Sequence, residues 1–178
     1  LTEKPRPMPA HAPCPSGLHS LLLVLRRLYT AEAYAVGILR RLAVEVQSFS
    51  LAQYFRGSSE TSLAQMQRLE RHFEELGLSL QRERCPELDA ALERLDRAPA
   101  WKTQQQERVE AYVRTSMLRF IQVQIRMMTQ VSEWALDHGM RSLHEVVKRN
   151  LDEKRMLGDK LRTLGVDGDP DATVPVAA

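Results

Sequence analysis

Two cysteines, Cys14 and Cys85, are all that 178 residues contain, too few for the disulfide framework of a small secreted fold. Cys14 lies in a proline-rich tail and Cys85 directly before Pro86, so both read as ordinary reduced thiols. Aromatic residues make up only 6% of the chain, which leaves little surface for stacking nucleic-acid bases. Charge is close to balance, at a formal +2, and marks out no dedicated nucleic-acid face. No stretch approaches the ~18 uninterrupted apolar residues of a membrane span. The first residues lack the apolar core of a signal peptide, which predicts a cytoplasmic protein. A Gly-x-Ser-x-Gly elbow, a phosphate-cradling glycine loop and Cys/His zinc spacing are all missing, so hydrolase-type catalysis has no support. What the chain does have is charge and helix formers. Asp, Glu, Lys and Arg supply 27% of it, with Leu, Ala and Gln also prominent, the composition of a helix-rich soluble domain.

The length suits one domain with a respectable core. Residues 1–15 carry Pro5, Pro7, Pro9, Pro13 and Pro15; prolines remove backbone donors and fix φ, predicting an extended, disordered arm. A helical bundle is expected over residues 16–165 and a disordered tail over 166–178. The first helix starts near Ser16, a possible N-cap, and runs to Glu45 along Leu18, Leu21, Leu22, Leu25, Leu28, Val36, Leu39 and Leu42. After a short connection around Val46 to Ser50, the second runs from residue 50 to 76. Its stripe is odd in the middle, where Ser58, Ser59 and Ser62 stand at positions that suit leucine. A short helix from Pro86 to Arg97 interrupts the long connection that follows. The third long helix spans Thr103 to Leu136 and is apolar over a wide arc. Gly139 is the expected left-handed residue behind it, and Ser142 the expected N-cap of a fourth helix reaching Leu164.

Short connections within each pair make two antiparallel hairpins. The segment joining them is long enough to travel back along helices of roughly 40 Å. Two hairpins and one long crossover define an all-α, ferritin-like four-helix bundle. Within it Glu32 is anomalous. Stepping by three or four reaches Leu25, Leu28, Val36, Leu39 and Ala43, so a carboxylate sits on the face that should be buried. Such a group requires a partner, a metal or an edge position.

With the helices placed, the chain resembles the YciE/YciF type of bacterial ferritin-like domain over residues 18 to 165. The Leu-Tyr-Asp-Ala-Glu run of that family is matched by Leu28-Tyr29-Thr30-Ala31-Glu32. Its second helix closes with Arg-Leu-Glu, a bulky apolar residue and Leu-Gly, matched by Arg68-Leu69-Glu70, Phe73 and Leu76-Gly77. Cys85, Glu110, Tyr112 and Asp159-Lys160-Leu161 stand where the family has a cysteine, two residues of a Glu-His-Tyr-Glu pattern and a final Asp-Lys-Leu. The resemblance implies a central site where carboxylates, and sometimes histidines, hold two metal ions. The sequence departs from that pattern. His-Leu-Glu-Glu-Thr reads Ser58-Ser59-Glu60-Thr61-Ser62, Ala111 and Val113 replace a histidine and a glutamate, and Lys148 and Arg149 replace acids. Glu32, Glu110 and Glu153 remain as inward metal-ligand candidates, with Asp152 in reserve and Arg149 placed to neutralise a surviving glutamate.

The resemblance therefore favours a non-catalytic, degenerate ferritin-like protein without a cofactor, acting as a stress-associated dimerisation or partner-binding module. The alternative is an iron- or manganese-binding oxidase or storage relative using the remaining core carboxylates. No catalytic or cofactor-binding residue is assigned. A homodimer and an unidentified protein partner are expected, with the wide apolar arc near Phe120 and Met127 pairing the subunits. Nucleic acid and anionic membranes are disfavoured, because Arg40-Arg41, Lys148-Arg149 and Lys154-Arg155 are interspersed with acids.

Overall fold

The computed structural model describes residues 16–97 and 106–164, and every regular element among them is a helix. In order these are α1 (Ser16–Glu45), α2 (Phe49–Glu75), α3 (Pro86–Asp96), α4 (Gln106–Asp137) and α5 (Arg141–Thr163). The proline-rich arm with Cys14, the side chain of Ser16, the expected start of the third long helix at Thr103 and the tail at 166–178 lie outside the described residues.

Local chemistry sets the boundaries. Ser48 is extended, and its hydroxyl accepts the Leu51 N–H at 3.3 Å, so α2 begins at Phe49, one residue before the expected start at residue 50. Pro86 opens α3, where its missing donor is harmless. Gly139, at φ +68°, turns the chain between α4 and α5, and Gly77, at φ +65°, does so after α2. The expected cap at Ser142 is corrected: α5 starts at Arg141 behind Met140, which offers no side-chain acceptor. The turn after Gly139 is tight enough to put the serine inside the helix.

The two hairpins, α1 with α2 and α4 with α5, form the most extensive interfaces. They close against each other through α1 on α4 and α2 on α5, while α3, in the crossover, lies against α4 and α1. This is the ferritin-like arrangement. Leu25, Leu28, Leu39, Phe55, Leu69, Phe73 and Phe120 fill the interior, each contributing roughly 1.5–3 kcal/mol through burial. The proposed pairing face on α4 is corrected. Phe120 is 0% and Met127 8% exposed within the single chain. The apolar arc of α4 is wide because three helices pack on it, not because a second subunit does.

Among the described residues no helix is long and apolar enough to cross a membrane.

Candidate functional site

Glu32 and Lys154, both 0% exposed, meet at the centre of the bundle. The ammonium of Lys154 lies 2.8 Å from Glu32 Oε1 and 2.9 Å from Oε2. Gln124 donates its carboxamide N–H to Oε1 at 2.6 Å, and Ser62 Oγ lies 3.4 Å from the ammonium. Glu32 comes from α1, Ser62 from α2, Gln124 from α4 and Lys154 from α5, so all four long helices meet at one ion pair. Phe120 closes one side, its ring centroid 5.8 Å from Lys154 Nζ. Removing two charges from water is offset here by their mutual attraction and by the Gln124 hydrogen bond.

The position of Lys154 follows from its register. It is three residues after Leu151 and seven before Leu161, both buried, so it falls on the inward stripe of α5. The reading of Lys154-Arg155 as a surface basic pair is therefore corrected: Arg155 is exposed and Lys154 is not. Arg149, placed to neutralise a surviving glutamate, does approach Glu153, at 3.5 Å, but it is 70% exposed, so the pair is not a buried one.

The three candidate carboxylates are not brought together. Glu153, beside Lys154, faces α2, where Arg68 donates to both its oxygens at 2.6 and 2.7 Å and Gln65 donates at 3.0 Å. Arg68 also donates to the side-chain carbonyl of Asn150. Glu110 sits at the end of the bundle, accepting the Ser48 N–H at 3.3 Å and the Gln106 carboxamide at 3.1 Å. It is fourteen residues before Gln124, about 21 Å along α4. Asp152 and Glu60 are exposed. Among the described residues no three His, Cys, Asp or Glu side chains form a group that could hold a metal. The donors around Glu32 do not suit one either. Both carboxylate oxygens are engaged by an ammonium, and a cation there would have to displace it.

The Leu28–Glu32 run does several jobs at once. Leu28 is core, and Tyr29 donates its phenol to Glu70 at 2.6 Å. Thr30 donates to the Arg26 carbonyl at 2.8 Å and accepts the Glu83 N–H of the crossover at 2.9 Å. The two halves of the sequence motif, 28–32 and 68–70, are therefore hydrogen-bonded to each other. That bond to Glu70, with burial second, raises the Tyr29 pKa. Burial pushes Tyr54, whose O–H donates to the Leu157 carbonyl at 3.2 Å, up to about 12 from 10.0. Both phenols favour the neutral form in the folded chain. Their stabilisation is complete below pH ~10 and is lost as pH rises through the folded values. Two units at Tyr54 correspond to roughly 2–3 kcal/mol. Urea unfolding between pH 9 and 12 should show Tyr54→Phe flattening that part of the alkaline decline, with the Tyr29 part left.

Lys154, Gln124, Gln65 and Asn150 are the site residues that the sequence pattern did not single out. The available signal was polarity at inward positions: 124 lies between Phe120 and Met128, and 150 and 154 flank Leu151.

Residues 19–168 match a family described as a domain of unknown function, DUF892. No protein of curated description matches. Among solved structures, the E. coli stress protein YciF is 21% identical with a TM-score of 0.77, over 84% of this chain and 94% of that one. YcfI from Rhodopseudomonas palustris is 22% identical with the same score and the same coverage. Dps from Thermosynechococcus elongatus, at 14% identity and a TM-score of 0.61, covers 88% of this chain and 96% of that one. These likenesses carry the fold. The chain belongs to the DUF892 family, with the ferritin-like fold of YciF.

Proposed function

We propose that this protein is a non-catalytic ferritin-like bundle in which a lysine has taken over the work of a central metal. The observation that carries the reading is the fully buried Lys154 ammonium on both oxygens of Glu32. A di-metal centre joins four helices through cations bound to carboxylates. Here one covalently attached cation joins the same four helices without open coordination positions, and such positions are what dioxygen chemistry at a metal needs. The protein would then act through its surface, as a dimerisation or partner-binding module. Val44 and Phe49, 82% and 69% exposed, flank the α1–α2 turn, and Tyr112, 40% exposed, lies beside Glu110 at the same end. The relative described as a stress protein suggests the setting.

The test is metal loading. Protein purified without chelator, exposed to ferrous iron and manganese and desalted, is expected to retain less than about a tenth of a metal per chain. Two metals per chain, lost in Glu32→Ala, would establish the alternative, an oxidase or storage relative that holds metal at Glu32. Light scattering of the same sample at micromolar concentration reports whether two subunits pair.

A further inference from the structure

The crossover covers only part of the seam between α1 and α4. The Glu83 N–H donates to the Thr30 hydroxyl of α1, and Glu87 of α3 pairs with Arg126 of α4. At the far end of α3, Asp96 pairs with Arg41 of α1 at 3.0 Å. One turn beyond Arg126 this cover stops, and the same seam continues as an open groove of about 290 Å³. Gly17, Leu21 and Val24 of α1 line it, facing Gln130, Val131 and Trp134 of α4. Leu21 and Val131 are buried, Val24 and Trp134 half-buried, and none of the lining side chains carries a charge.

Trp134 is held in place at the end of this groove. Its indole stacks on His138, with ring centroids 3.8 Å apart and 13° between the planes. The Nε1–Cζ2 edge lies against Gly17, where a Cβ would come within 3.2 Å of the ring, so the absence of a side chain there permits the approach. Two features of the sequence point to what covers the groove. Residues 7–15 read Pro-Met-Pro-Ala-His-Ala-Pro-Cys-Pro, with no Asp, Glu, Lys or Arg among them. They end directly before α1, two residues from Gly17. Proline-rich segments seat on apolar, aromatic-lined grooves, and their restricted backbone loses little entropy in doing so. After a reversal of about four residues, the other five extend about 15 Å as polyproline II, against roughly 10 Å of helix between Gly17 and Val24. A second copy fits less well, because a stable interface takes about 800 Å² from each partner, far more than two turns of one seam present.

We propose that this groove is the seat of the chain's own proline-rich arm, with residues 7–11 laid along the α1–α4 seam and a proline packed on Trp134. The tether gives the arm an effective concentration in the millimolar range, so a contact too weak to hold a separate peptide closes the groove within one chain. The arm then completes the cover that the crossover leaves unfinished. A proline-rich segment of another protein reaches Trp134 only by displacing it. This inference does not rest on the reading of the bundle centre as metal-free.

Two measurements on the full chain decide it. Gln130 is exposed on the rim of the groove, so Gln130→p-benzoylphenylalanine puts a photo-reactive group there without filling it. After irradiation at low micromolar concentration, mass spectrometry is expected to find the cross-link on residues 7–11 of the same chain. A cross-link to a second copy, or one confined to the helices, would overturn the proposal. The second measurement uses a Trp101→Phe background, which leaves Trp134 as the one tryptophan. Acrylamide quenching is compared with and without the substitutions Pro7→Gly, Pro9→Gly and Pro13→Gly. These positions lie outside the described helices, and an unchanged circular dichroism spectrum confirms that the bundle is intact. An arm that is docked most of the time predicts a quenching constant about twofold higher in the glycine variant, with emission shifted to the red. Equal quenching in the two chains would show that the arm does not cover Trp134.

Discussion

Lys154→Met, with Glu32 in place, is expected to lower the free energy of unfolding by about 3–5 kcal/mol. The lysine is 0% exposed and its ammonium contacts both oxygens of a carboxylate that is also 0% exposed. Methionine fills much of the same volume, so little of the loss comes from packing. The loss comes from a buried charge whose partner has gone, and which must stay ionised unpaired or take up a proton. The double variant Glu32→Leu with Lys154→Met is the sharper measurement. Replacing both members of a buried pair by apolar residues is often neutral or stabilising by about 1–4 kcal/mol. Here Gln124 would lose the acceptor it bonds at 2.6 Å, a penalty of about 1–3 kcal/mol. The double variant should therefore fall near the wild type, far above either single one, in a urea titration followed by circular dichroism. A single substitution that changes stability by less than about 1 kcal/mol would mean that Glu32 is already solvated.

Phe120→Ala is the second large effect. Its ring is wholly buried inside one chain and lies against the Lys154 ammonium. Truncation is expected to remove about 3–5 kcal/mol through lost burial and the cavity left behind. For a chain of this size that is a fall in melting temperature of roughly 6–20 °C. Because the residue is core and not interface, the fall should be the same across a hundredfold range of protein concentration. A melting temperature that climbs with concentration in the wild type but not in the variant would return Phe120 to a subunit contact.

Most of the architecture was readable from one sequence because it depends on local signals. Apolar periodicity located the long helices, Pro86 and Gly139 marked their connections, and the long crossover selected the ferritin-like layout. Glu32 was readable as an anomaly for the same reason: its neighbours at three and four residues are all apolar. Its partner was not readable, for two reasons. Lys154 is followed by Arg155, and adjacent cations suggest a solvated surface, although successive helical residues point about 100° apart. The pairing also joins α1 to α5, residues 122 apart, and no local pattern encodes which helices face across a bundle. The width of the α4 stripe misled in a related way. Periodicity shows how much of a helix is covered, but not whether its own chain or another one covers it. Glu110 and Glu153 illustrate a third limit: both are partly inward-facing, yet one is at a bundle end and the other is turned to Arg68 and Gln65 of α2.

The diagonal placement of Glu32 and Lys154 has a consequence for how the two hairpins find each other. Leucine stripes are tolerant of sliding, because a shift of one helical turn exchanges one aliphatic contact for another. A charge pair is not. Moving α5 by a turn in one direction would offer Asn150 or Leu151 to Glu32, and in the other Leu157 or Gly158. None of these side chains supplies a cation, so every slipped alignment strands a carboxylate in the interior. The pair thus acts as an alignment key, favouring one docking of the hairpins over neighbours that hydrophobic burial alone would leave nearly equal in energy.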